Sequence, residues 1–239
     1  MQFTEKDLEY LSAKSFSSGY KLRFKFTPKD KNIVHRIEFL EKMLDGKSVL
    51  HLGCTDHIPL IDKKISENTW AHKRITEASA FCLGIDIDKD AIDHCHKLGY
   101  TNIIECDIFK DELPSELDQH FDYIVIGELL EHVDNPVLFL KQLKSFFKSN
   151  FSNILITGPN ALKWKNISTS FSNSELINSD HRFWFSPYTL AKLLTRSSFT
   201  PDQYWFGTTG GVNKRNYLHK WLLKRYPQFQ DTIIMTAKV

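Results

Sequence analysis

A chain of 239 residues is long enough for one well-packed α/β domain with an appended segment and short for two full domains. With 31 Lys and Arg against 29 Asp and Glu and no long block of like charge, bulk electrostatics demand neither nucleic acid nor an acidic partner. An aromatic content of 13% excludes a disordered chain and leaves aromatic walls for a ligand pocket. Cys54, Cys82, Cys95 and Cys106 lack C-x-x-C spacing and read as small buried apolar residues in a reducing compartment. The first ten residues carry acids and no apolar signal core. No run approaches the ~18 apolar residues of a membrane span. A soluble cytoplasmic protein is expected.

Residues 1–46 are read as an N-terminal cap segment ahead of a domain over 47–239. Tyr20, Leu22, Phe24 and Phe26 alternate with Lys21, Arg23 and Lys25, which predicts an extended piece with one apolar and one basic face. Such a piece either packs on the domain or its cleft, or stacks on single-stranded nucleic acid; packing is favoured, so no nucleic-acid partner is expected. Ile33, Ile37, Leu40 and Leu44 then recur at helical spacing, closed by Gly46. Ser48 to Leu52 form a buried strand that stops at Gly53-Cys54-Thr55-Asp56. A helix over Trp70 to Ala80 leads to a second strand, Phe81 to Ile85, ending at Asp86.

Strand, glycine turn, helix and acid-ended strand make a nucleotide-binding βαβ unit. Main-chain N–H groups of the turn face the ligand, and a carboxylate at the neighbouring strand tip accepts hydrogen bonds from both ribose hydroxyls. Gly53 is the only glycine of the turn, whereas a dinucleotide site uses G-x-G-x-x-G. An adenosyl ligand without phosphates therefore fits better than a pyrophosphate.

Asp88 caps a helix whose inward face is predicted as Ala91, Ile92, Cys95 and Leu98, with Gly99 as its stop. His94, Cys95 and His96 are spaced one and two apart, so they point to different sides and no metal site is expected. Strands over Thr101 to Cys106 and Phe121 to Gly127 follow. Asn135 and Pro136 open a helix with Leu138, Leu140, Leu143, Phe146 and Phe147 as its apolar face. A fifth strand covers Asn153 to Thr157. The polar stretch Ala161 to Asp180 reads as a surface loop able to cover a substrate. Ser186 and Pro187 start a helix with Leu190, Leu193 and Leu194 inward. Gln203 to Phe206 and Thr232 to Lys238 complete about seven strands, with a helix over Asn216 to Tyr226 between them. The alternation specifies a doubly wound, Rossmann-like parallel sheet with ligands at the strands' carboxyl ends.

The runs Val49 to Asp56, Gly84 to Asp88, Glu105 to Asp107, Phe121 to Val133 and Ile154 to Asn160 resemble, in order and spacing, a class I S-adenosylmethionine-dependent methyltransferase. The likeness covers Lys47 to Phe206 and is nearest to a branch found among bacterial glycan-biosynthesis enzymes. Two positions depart from the pattern: His51 stands for the usual acid opening the first motif and Thr55 for its second glycine, with Asp56 placed to supply the missing carboxylate. The resemblance implies S-adenosyl-L-methionine as cofactor, held by His51, Gly53, Cys54 and Thr55 at the first turn and by Asp86 and Ile87 at the ribose. It implies Asp107 near the adenine, and Ile108, Gly127 and Glu128 among the cofactor-binding residues.

A sulfonium methyl group is already activated, so the protein must align donor and acceptor and exclude water. A hydroxyl acceptor also needs a base. His181, preceded by Asp180 as in resembling enzymes, is the first candidate and His132 the second. Glu131, Asn160 and Asp180 are the candidate substrate-binding residues. The reading is O-methylation of a sugar or glycan intermediate. The alternatives are another small polar metabolite, a silent cofactor-binding partner subunit, or a nicotinamide oxidoreductase, the last disfavoured by the missing glycines. Lys214 to Arg225 reads as a basic amphipathic helix, either packed through Leu218, Trp221 and Leu222 or facing an anionic glycan carrier or membrane surface, which limits membrane contact to a peripheral one. The oligomeric state is not readable.

Overall fold

The apolar runs become seven strands in a computed structural model that describes residues 2–14, 19, 21–24, 26, 33–148, 150–210 and 217–239. They are β1 Ser48–Leu52, β2 Phe81–Asp86, β3 Ile103–Glu105, β4 Phe121–Gly127, β5 Phe151–Pro159, β6 Thr200–Gly207 and β7 Thr232–Lys238. The helices are α1 Glu5–Leu11, α2 Arg36–Leu44, α3 Ile58–Ser66, α4 Ala71–Ala78, α5 Lys89–Lys97, α6 Pro136–Phe146, α7 Trp164–Ser170, α8 Pro187–Arg196 and α9 Tyr217–Arg225. One sheet runs β3-β2-β1-β4-β5-β7-β6.

Consecutive apolar residues in a strand point to opposite faces, and here both faces are covered. Leu50, Ile124, Ile154 and Ile233 pack with Leu11 of α1, Leu140 and Leu143 of α6, and Leu190 and Leu194 of α8. Their neighbours Val49, Val125, Leu155 and Ile234 pack on the other face with Leu40 and Leu44 of α2 and Ile75 of α4. Double burial is why these strands read as continuous apolar runs. A third cluster joins Ile61 of α3 and Trp70 to Ala91, Ile92 and Cys95 of α5.

The sheet is mixed, where an all-parallel sheet is expected from the alternation. β7 lies antiparallel to both β5 and β6. The connection after β6 stays at that strand's carboxyl end, so the chain returns between β5 and β6 in the opposite sense. Hydrophobic periodicity marks a strand but not its direction.

Other expectations shift locally. α1, closed by a capping box between Thr4 and Asp7, and α3 are not anticipated from the sequence. Leu98 and Leu138, expected inward, are 46% and 53% exposed. The predicted loop over 161–180 contains α7. In α9 the inward residue is Leu223, while Leu218 and Trp221 are 76% and 57% exposed, so the face thought to pack is turned to solvent. Lys214, Arg215, Tyr20 and Lys25 lie outside the described residues. The alternation at 21–26 holds without a strand: Lys21 and Arg23 are exposed, and Leu22, Phe24 and Phe26 are partly buried. Phe26 meets Phe206 at 5.4 Å, and Phe24 meets Phe3 at 5.9 Å between ring centroids. Phe24 and Phe26 thus pack on other aromatic rings of the described residues.

Candidate functional site

The carboxyl ends of β1, β2 and β4 border a cleft of about 310 Å³. Gly53 takes φ +65° as the chain leaves β1, and a Cβ there would stand 2.8 Å from Leu129. Both the left-handed backbone and the close approach call for glycine. Its N–H donates to the Ile85 carbonyl at 2.9 Å. Asp86, at the tip of β2, accepts from Thr55 N–H at 2.9 Å through Oδ2, and from the Ile87 and Asp88 N–H groups at 2.8 and 3.2 Å through Oδ1. Each carboxylate oxygen can accept more than one bond, so ligand hydroxyls still find acceptor capacity.

His51, Gly53, Cys54, Thr55, Asp86, Gly127, Glu128 and His132 line this one cleft. Asp56, also in the lining, pairs with Lys64 at 2.6 Å. Cys54 is buried and its thiol is held well above its ordinary value by that burial. Ile87, 70% exposed, lies outside the lining, as do Asp107 and Ile108 at the end of β3. Asp107 is held below the usual carboxylate range by its bond to Lys110 and by the Phe109 N–H.

Arg36, in the first turn of α2, also lines the cleft. Its Nη1 donates to Thr157 Oγ1 at 3.4 Å and its Nε lies 4.0 Å from Glu128. A Cβ on Gly127 would come within 3.5 to 3.9 Å of His51 Nε2, Arg36 Nη1 and Thr157 Oγ1, so the absent side chain keeps this corner open. Glu128 adopts φ +54° and accepts from Thr232 Oγ1 at 3.0 Å. Arg36 escapes a reading by motif. Its one sequence signal is a cation in the first turn of a helix, against the macrodipole.

The chain next forms a 3-10 turn, Leu130–His132, which carries the acceptor-side residues. Glu131 is fully buried and neither carboxylate oxygen has a hydrogen-bond partner. Burial, then the nearby Glu128, pushes its carboxyl up to about 8. The segment before α8 docks on this turn through Arg182 N–H to the Glu131 carbonyl at 2.8 Å and His132 Nδ1 to the Asp180 carbonyl at 3.2 Å. That docking stands the rings of His132 and His181 edge to face, with centroids 4.7 Å apart. Burial and the neighbouring His132 lower His181 below its ordinary value. The two candidate bases and Glu131 thus form one cluster.

Asp180 meets it through the backbone, with an exposed side chain. Asn160, expected at the substrate, is fully buried. Its Nδ2 donates to the Gln228 and Gln230 carbonyls and its Oδ1 accepts from Leu162 N–H. That side chain ties the end of β5 to the turn before β7. His94 bonds Asp62 and His96 bonds the Ile103 carbonyl, so their different directions match the spacing argument.

The sequence model of a methyltransferase domain matches residues 29–204. Among solved structures, a magnesium protoporphyrin IX methyltransferase from Synechocystis PCC 6803, with bound SAH, superposes with a TM-score of 0.51 at 13% identity, over 92% of this chain and 90% of that one. A Haloferax volcanii methyltransferase, in complex with the Trm112 methyltransferase activator, gives 0.55 at 11% identity over 84% and 86%. A small RNA methyltransferase gives 0.53 at 17% identity over 92% of this chain and 27% of that one. These likenesses show a shared fold. No curated protein matches the chain in sequence.

Beneath the cleft, His51 Nδ1 and His72 Nδ1 lie 3.3 Å apart in the interior, so one ring donates and the other accepts while both are neutral. Burial holds His72 down to about 4, from an ordinary 6.5, and lowers His51 in the same sense. The unfolded chain therefore binds protons below pH 6.5 that the folded chain refuses. This contribution to stability is complete above pH 6.5 and is lost as pH falls toward about 4. For His72 the loss is about 2 kcal/mol by pH 5, at ~1.4 kcal/mol per pH unit. Glu131, raised to about 8, gains stability over the same window, so the test compares the parent with His72→Gln. The parent's urea midpoint is expected to fall by more, or rise by less, from pH 7 to pH 5, and an identical change in both contradicts the buried neutral pair.

Proposed function

The chain belongs to the methyltransferase-domain family through residues 29–204, and from that premise we propose that it transfers the methyl group of S-adenosyl-L-methionine to an oxygen of a sugar or other polar glycan intermediate. The observation that carries this reading is the juxtaposition of an adenosyl-type cleft, made by Gly53, Thr55 and Asp86, with a His132 and His181 pair beyond Glu128. The single-glycine turn favours this donor over a dinucleotide.

Asp86 accepts from the ribose hydroxyls, the turn at His51 to Thr55 carries the donor's middle, and Ile87, Asp107 and Ile108 border the adenine. Gly127 leaves room for the methionine end, whose carboxylate pairs with Arg36. Residues 1–46 act as a cap through that arginine. Glu131 and the Asp180 backbone frame the acceptor. In the transfer the sulfur–methyl bond breaks with its electron pair kept on sulfur, and the acceptor oxygen bonds the methyl carbon. The oxygen's proton goes to His181, or to His132 beside it.

The exposed Leu218 and Trp221 of α9, with Lys224 and Arg225 exposed on the same helix, support peripheral contact with an anionic carrier or membrane surface. Charge reversal of Lys220, Lys224 and Arg225 is expected to abolish binding to anionic vesicles at low salt. If the parent protein binds no vesicles, or binds neutral and anionic ones alike, the contact is ruled out.

Formation of S-adenosylhomocysteine in the presence of polar sugar acceptors tests the activity itself. Asp86→Ala is expected to weaken donor binding by ~1.5–3 kcal/mol, the scale of a charge-assisted bond, and Asp86→Asn to weaken donor binding more than it changes folding stability. Unchanged affinity removes Asp86 from the site. His181→Ala is expected to lower turnover by roughly 10²–10⁴-fold and to spare donor affinity. Weak donor binding with normal saturated turnover contradicts the acceptor-side role.

A further inference from the structure

Glu131, His132 and His181 each present one ligand-type atom, and the three atoms lie within 4.8 Å of one another. Two facts single the group out from an ordinary cluster of polar residues. Glu131 is wholly enclosed, yet both its oxygens lack a donor, although buried carboxylates are ordinarily satisfied by hydrogen bonds or by a cation. Beside it the His132 ring is held on the Asp180 carbonyl, and the backbone next to His181 is anchored by Arg182 N–H on the Glu131 carbonyl. Two imidazoles and one carboxyl group within reach of one another make a ligand set for a cation.

We propose that Glu131, His132 and His181 bind one divalent first-row transition-metal ion on the acceptor side of the cleft. The donor set decides the class of ion. Two nitrogens and one carboxylate oxygen suit zinc, manganese or ferrous iron, whereas magnesium and calcium take mostly oxygen ligands. Ligand atoms around an ion at ordinary bond lengths stand about 3.4 Å apart, so a small rotation of the partly exposed His181 closes the site. Gly158 keeps the space behind it: a Cβ there would stand 3.6 Å from Glu131 Oε2 and 3.0 Å from the Phe185 ring.

Three protein ligands leave positions open for oxygen ligands. The use of the ion rests on the methyl-transfer reading: a bound acceptor hydroxyl is acidified by the ion, its proton is released to solvent water, and the resulting oxygen takes the methyl carbon as the carbon–sulfur bond breaks. With the ion bound, His132 and His181 serve as ligands, and this replaces the proton-accepting role they have in the metal-free transfer described above. The existence of the site depends only on the three side chains.

The test is titration of the chelator-stripped full chain with zinc and with manganese, followed by calorimetry and by metal content after gel filtration, with magnesium for comparison. The expected result is one ion per chain, bound at least tenfold more weakly in His181→Ala and in Glu131→Gln, with a metal-dependent rise in melting temperature that both variants lose. His181 lies on a partly exposed segment, so its variant remains informative if Glu131→Gln does not fold. Absence of saturable binding, or binding unchanged in His181→Ala, overturns the site. Methyl transfer by a metal-free chain overturns the ion's use and leaves the methyltransferase reading intact; stoichiometric binding without transfer to any acceptor does the reverse.

Discussion

The carboxylate of Asp86 accepts the N–H groups of Ile87 and Asp88 just beyond its own strand and of Thr55 beyond β1, and the Thr55 bond ties the turn after β1 to the end of β2. The turn at Gly53 needs that tether because its left-handed backbone, at φ +65°, makes no ladder bonds of its own beyond the one to Ile85. Close approach of β1 and β2 is equally constrained from below. A Cβ on Gly84 would stand 2.5 Å from Cys54 Sγ and 2.8 Å from His72 Cε1. Glycine on β2, a small thiol in the turn after β1 and a neutral imidazole beneath them form a single packing unit. The charge of Asp86 is thereby fixed where a ribose presents its hydroxyls.

The acceptor side is organised by the opposite circumstance, a carboxylate without donors. Residues 127–132 join the two halves: Gly127 opens the cleft, Glu128 turns through a positive φ, and Glu131 ends up buried beneath two histidines. Backbone strain and an unsatisfied buried acid both cost stability, and their concentration in one short stretch is the physical mark of a working site. The segment before α8 completes it through Arg182 N–H on the Glu131 carbonyl and through the His132 ring on the Asp180 carbonyl, so a residue of the site itself helps to hold that segment.

Much of this was legible in the residues. β1, β2 and β4 could be read to the residue or nearly so, because strands buried on both faces show unbroken apolar runs, and Asp88 and Asn135 act as the caps their types imply. Direction was not legible: nothing in the pattern of β7 says that it runs antiparallel. Leu218 and Trp221 misled because a helical stripe shows which residues share a face but not whether anything covers it. Asn160 sits at the right strand end yet spends its side chain on the turn before β7. Arg36 and the joining of Glu131, His132 and His181 depend on contacts between distant parts of the chain, which no local spacing encodes.

The central claim is that the cleft at the ends of β1, β2 and β4 holds an adenosyl sulfonium donor. Isothermal titration of the full chain with S-adenosylmethionine and S-adenosylhomocysteine, and separately with NAD, addresses it most directly. The account predicts saturable binding of one adenosyl ligand per chain and no heat of binding with NAD. Binding of NAD, or no binding of either adenosyl compound by folded protein, contradicts it.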